Sequence, residues 1–133
     1  MTLSASDIKF RKALTQTDTT LNGGRKGAVE VVSAVRHNLF PRVTKAERTA
    51  GVTRYRKEFW CNENADDDVA YGAMLWLEHR SNGGDRFSIA LGTQTDRQSD
   101  MLALSPIWKS TGQLAAVLNG GETSVQITME AAD

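Results

Sequence analysis

Apolar and polar residues alternate along much of this chain. Ile8, Phe10 and Leu14 share one parity; so do Tyr55, Phe59 and Cys61, then Tyr71, Ala73, Leu75 and Leu77, then Phe87, Ile89 and Leu91, then Val125, Ile127 and Met129. A period of two belongs to half-buried strands, so strands are predicted over 54–62, 71–79, 86–92 and 123–130, followed in clarity by 7–15 and 113–118. Asn-Gly-Gly occurs at Asn22–Gly24, Asn82–Gly84 and Asn119–Gly121. Asn and Gly both tolerate the positive φ of tight hairpin turns, so these triplets are expected to reverse the chain between strands. Their flanks differ, so they are not a sequence repeat.

Residues 28–40 satisfy two periods. Ala28, Val32, Val35 and Leu39 have helical spacing, favouring a short helix or turn, whereas Val29, Val31 and Val35 read as a strand. Pro41 ends the segment. Arg42 to Thr53 shows no periodicity and reads as a charged surface connection leading into the Tyr55 strand. The expected architecture is a single domain over 1–133, all-β or mainly β: an antiparallel β-sandwich with an extended N-terminal arm and room for one short helix. Residues 1–53 would form the arm and connecting segment, and 54–133 the main sheet region.

At 133 residues the chain is long enough to bury a core. Met1 to Asp7 has neither a charged n-region nor an apolar h-region, and no apolar run approaches the ~18 residues of a membrane span, so neither export signal nor membrane partner is expected. The formal net charge is zero, but it hides a split. Residues 1–60 hold twelve Lys/Arg against five Asp/Glu, and residues 61–133 hold four against eleven. Two complementary halves can pair inside one monomer or dock one copy on the next, the head-to-tail contact from which rings are built. Zero net charge argues against a dedicated nucleic-acid binder, leaving at most non-specific contact.

Catalytic constellations are nearly absent. His37 and His79 are the two imidazoles, no HExxH or G-x-S-x-G occurs, and no Gly-rich loop ends in Gly-Lys-Ser/Thr. Cys61 shares the apolar parity of Tyr55 and Phe59, which suits an inert core thiol. The acidic run Glu63 to Asp68 lacks the spacing and distal Glu of an EF-hand, so a solvated turn is expected, with no metal and no cofactor. Trp60 and Trp76 lie opposite the aliphatic parity of their strands, where tryptophan serves as an interface anchor. The candidate interface therefore comprises Arg42, Arg48, Arg54, Arg56, Trp60, Asp66, Asp67, Asp68 and Trp76, with no catalytic residue. Reversal of Arg54 or Arg56 is expected to weaken self-association in a salt-dependent way.

Asn38-Leu39-Phe40-Pro41, then Glu47-Arg48, Gly51, Thr53 and the strand Tyr55-Arg56-Lys57 to Phe59 with Asn62 and Asn64, resemble a pattern in small virion structural proteins of tailed bacteriophages and prophages. Gly23-Gly24, Val29 to Val35, Leu75-Trp76-Leu77 and Gly92-Thr93-Gln94 stand in the matching order, covering about residues 7–96. The resemblance implies an immunoglobulin-like sandwich and a non-enzymatic component of the virion, assembled in the bacterial host cytoplasm. The charge split favours a symmetric ring of copies around the head–tail neck, touching portal, connector, sheath or capsid proteins. A capsid decoration protein and a glycan-binding module using the tryptophans are the alternatives.

Overall fold

The computed structural model describes residues 3–73, 75, 83–106, 109–110, 112–114 and 127–129, the last three stretches by backbone alone. The described elements are mainly β, with few short helices. The chain groups into two compact units, Met1–Met74 with Gly92–Leu104, and Leu75–Leu91 with Ser105–Asp133.

The first unit is built on a three-stranded antiparallel sheet in which β1 (Ile8–Thr15) lies between β2 (Gly23–Glu30) and β3 (Glu58–Asn62). The stretch expected to form an arm thus supplies two strands, the central one included. The backbone groups of β1 pair on both edges, while Ile8 and Phe10 alternate with Lys9 and Arg11 between the two faces. The β1–β2 reversal is made just before the first Asn-Gly-Gly, in residues 16–22, where the Asn22 N–H donates to the Thr19 carbonyl at 3.0 Å; Gly23 and Gly24 open β2 at φ 104° and 80°.

β1 pairs with β3 in regular register, Phe10 opposite Trp60 and Arg11 opposite Phe59. Directly opposed residues point to the same side, so Phe10 and Trp60 share one face and Arg11 and Phe59 the other. Among the described residues the buried apolar ones, Ala13 at 3% exposure and Phe59 at 8%, lie on the second face. The parity of Ile8, Phe10 and Leu14 therefore occupies the more open side, and Leu14 is 73% exposed. Ala13, not its larger neighbour, packs inward because β2 and the chain before β3 approach closely there: Ala13 N–H donates to the Lys57 carbonyl at 3.1 Å.

The β1–β2 register slips twice, from Arg11 opposite Glu30 to Ala13 opposite Lys26 to Thr15 opposite Gly23. Gly27 lies at the first slip, where a Cβ would sit 3.0 Å from the Lys12 carbonyl oxygen and 3.3 Å from that of Ala13. Gly27→Val is expected to force the strands apart and cost about 1–3 kcal/mol. A lower urea midpoint will show it; an unchanged midpoint would contradict the close approach.

After Glu30 the chain turns at residues 33–34 and 36–37, with Ala34 at φ 63° and His37 at φ 57°, so the segment 28–40 continues β2 and then forms turns. The expected connection 42–53 contains a helix, α1 (Lys45–Ala50). Thr44 and Glu47 form its capping box: Thr44 Oγ1 accepts from the Glu47 N–H (3.3 Å) and Glu47 Oε2 accepts from the Thr44 N–H (2.8 Å). α2 (Gln98–Ala103) completes the unit, tied to the hairpin by Gln98 N–H to Asn22 O and Gly24 N–H to Asp96 O.

In the second unit, β4 (Ser88–Ile89) pairs with β5 (Lys109–Ser110), and β6 (Gly112–Leu114) with β7 (Ile127–Met129), both antiparallel. These fall within or beside the strands predicted over 86–92, 113–118 and 123–130. Of the strand predicted over 71–79, residues 71–73 and 75 form no strand. The rest of it, with Trp76 and His79, lies outside the described residues, as do Trp108 and the third Asn-Gly-Gly.

Candidate functional site

The basic run Arg54 to Lys57 precedes β3, and the fold turns three of its side chains inward. Asp18, in the turn after β1, receives Arg56 at 2.6 Å and Arg54 Nε at 3.3 Å, and Arg54 also pairs with Glu47 of α1. Arg56 is 6% exposed and donates to the carbonyls of Tyr55 (2.6 Å), Thr17 (3.1 Å) and Leu39 (3.3 Å), with its guanidinium 5.7 Å from the centre of the Phe40 ring. The Asn-Leu-Phe-Pro run thereby acquires a physical role. Leu39 and Phe40 dock on Arg56, while the Asn38 amide donates to the Val32 carbonyl at 2.8 Å and folds the loop on itself. The Arg56 hydrogen bond, reinforced by Arg54, holds the Asp18 carboxyl below its ordinary value; backbone and hydroxyl donors of Thr44, with Arg54, do the same for Glu47.

Lys57 turns the other way and pairs with Asp96, itself 6% exposed, also donating to the Asp96 carbonyl at 2.9 Å. Asp96 Oδ2 accepts from the Thr93 N–H at 2.9 Å. Burial pushes the Asp96 carboxyl up, but the Lys57 ammonium and the Thr93 donors outweigh it and hold the group below its ordinary value. Beside this pair Asn22 is 1% exposed, its amide donating to the Tyr55 carbonyl at 2.7 Å and its Oδ1 accepting from the Thr17 N–H. Hairpin turn, strand entry and the 92–98 segment are locked together at this node.

The acidic loop leaves β3 at its far end and is ordered by two asparagines. Asn64 Oδ1 accepts from the N–H groups of Asp66 (2.9 Å) and Asp68 (3.2 Å), its amide donates to Asp7 at 3.0 Å, and the Asn62 amide donates to the Asp68 carbonyl at 2.6 Å. Glu63 is spent on Arg11 in a two-bond pair at 2.7 Å, and that hydrogen bond holds its carboxyl down. Asp66 and Asp67 remain exposed and Asp68 is half-buried. Among the described residues no group of three or more His, Cys, Asp or Glu is placed to hold a metal ion, and no helix is long and apolar enough to cross a membrane.

Of the residues singled out from sequence, Arg54 and Arg56 meet on Asp18, Arg42 and Arg48 are exposed nearby in chain, and Trp60 stands on the open sheet face at 45% exposure. Asp66, Asp67 and Asp68 lie together at the other end, and Trp76 is outside the described residues. The unforeseen partners of Arg54 and Arg56 are Asp18 and Glu47, and the neighbouring Tyr55 and Lys57 are held by Asn22 and Asp96. Thr44-x-x-Glu47 was a readable signal for one of them; the rest depend on contacts remote in sequence. The expected result of reversing Arg54 or Arg56 changes accordingly, from a lost rim contact to a loosened fold. Comparison with family models, with curated proteins and with solved structures matched none of them to this chain.

Proposed function

We propose that this chain is a non-enzymatic structural protein of a tailed-phage particle that assembles as a symmetric ring around the head–tail neck. In this reading the three-stranded sheet is one layer of an immunoglobulin-like sandwich. The observation that carries the assembly role is the disproportion between core and exposed apolar surface. Among the described residues Ala13 and Phe59 are the buried apolar side chains, whereas Leu14, Val29 and Trp60 are 73%, 60% and 45% exposed. Val29 neighbours Glu30, which faces Arg11, so it shares the side of Phe10, Trp60 and Leu14. A sheet face of this kind is an interaction surface. The virion setting rests on the sequence resemblance.

Mass spectrometry of purified particles from a host carrying the gene tests the setting. The chain is expected at a fixed copy number per particle, and its absence from particles would remove the phage reading. Trp60→Ala tests the face: about 2 kcal/mol or more of association free energy is expected to be lost, as for a central aromatic anchor, with little change in melting temperature. Equal association by wild type and variant would exclude Trp60 from the interface.

A further inference from the structure

The first unit carries unspent charge of opposite sign at its two ends. β1 runs antiparallel to β3, so its Ile8 end lies beside Asn62 and the acidic loop that follows, while the turn beyond Thr15 holds Asp18 and the arginines that converge on it. Glu47 reaches the same Arg54, which fixes α1 at the Asp18 end. Arg42, Lys45 and Arg48 are exposed on and beside that helix, and no ion pair among the described residues engages them. Lys45 and Arg48 are three residues apart and share a helix face. Val43 and Val52 flank them at 44% and 48% exposure. At the opposite end Asp66 and Asp67 are exposed, followed by Val69 at 61% and Tyr71 at 88%. An eight-residue strand separates the ends by about 25 Å, roughly three times the screening length at physiological ionic strength, so they do not neutralise each other within one unit.

We propose that these ends are the two halves of one subunit contact, the Arg42, Lys45 and Arg48 end of one copy docking on the Asp66 and Asp67 end of the next. This rests on the ring reading above and adds a charged end-to-end contact to the apolar sheet face around Trp60. The charges meet their opposites, and Val43 and Val52 face Val69 and Tyr71. Because the two patches differ, the contact is heterologous: each copy still presents one free end of each kind after docking, and the series stops when the ring closes.

Two variants of the full chain test it. One carries Arg42→Glu, Lys45→Glu and Arg48→Glu, giving two acidic ends; the other carries Asp66→Lys and Asp67→Lys, giving two basic ends. By sedimentation velocity each alone is expected to self-associate about tenfold or more weakly than wild type, while an equimolar mixture regains association through alternating copies. Wild-type association by either variant alone would overturn the proposal, as would a mixture that stays monomeric while both keep the wild-type melting temperature, or a monomeric wild type. Should a multiple variant lose its fold, Arg42→Glu mixed with Asp66→Lys gives the same readout. Complementation by a chain absent from particles would retain the contact and remove the virion reading; failed complementation by a chain present in particles would do the reverse.

Discussion

Lys57→Met is expected to destabilise the protein by about 3 kcal/mol, because it strands the Asp96 carboxylate, 6% exposed, without its cation. Lys57 is itself 17% exposed, so some water reaches the pair and the loss falls at the lower end for buried ion pairs. The pH dependence distinguishes this from simple loss of packing. In the wild type Asp96 titrates below its ordinary value of 3.8, so its contribution is fully present above that value and is lost as the pH falls through the lower folded one. Without Lys57 only the Thr93 donors oppose the push of burial, so the folded carboxyl titrates higher than in the wild type and protonation relieves the variant. The gap between wild type and variant in urea denaturation should therefore be widest at neutral pH and narrow below about pH 4. A constant gap across that range would show that the ion pair contributes nothing. Lys57→Met with Asp96→Asn should recover part of the loss at pH 7, since no charge is then left buried.

Arg56→Met is the second large effect. The aliphatic stem is retained, but the carbonyls of Thr17, Leu39 and Tyr55 lose a shared donor, and each that stays away from water costs about 1–3 kcal/mol. Arg56→Lys should rescue little, because an ammonium cannot reproduce the guanidinium fork that spans Asp18 and three carbonyls. Hydrogen exchange provides a local check: faster exchange at Ala13, whose N–H bonds the Lys57 carbonyl next to Arg56, and at Arg48, whose N–H bonds Thr44 at the start of α1, is expected alongside the lower melting temperature. Full wild-type stability would show that the buried Arg56 guanidinium does not hold these segments together.

These two residues show what alternation and composition can and cannot reveal. The period-two pattern locates β1 and, within the strand predicted over 54–62, the residues of β3, and it places Trp60 on the side opposite Phe59. It cannot show that β1 is the central strand, because a segment such as Lys9-Phe10-Arg11-Lys12 is equally consistent with an arm. In the fold those cations are satisfied across the sheet, Arg11 by Glu63 and Lys9 by Glu30 at 3.2 Å. The six-residue α1 is too short to show a helical period, so its local marks are the Thr44-x-x-Glu47 cap and Gly51, which ends it at φ 78°. The charge split is legible, but not its distribution. Arg11–Glu63 and Lys57–Asp96 join the two halves within one chain, while Arg54 and Arg56 are satisfied by Asp18 and Glu47 from their own half. Those pairings follow from strand register and turn placement, which amino-acid counts do not encode. Arg25, Lys26 and Arg36 are exposed outside these ion pairs, as are the two sets that the proposed contact joins, Arg42, Lys45 and Arg48 at one end and Asp66 and Asp67 at the other.

Mass photometry of the intact wild-type chain over a dilution series at low and high salt tests the ring most directly. A single closed oligomer of fixed mass is expected at low salt, shifting toward monomer as salt screens the two ends. A monomer at every concentration and ionic strength would contradict it.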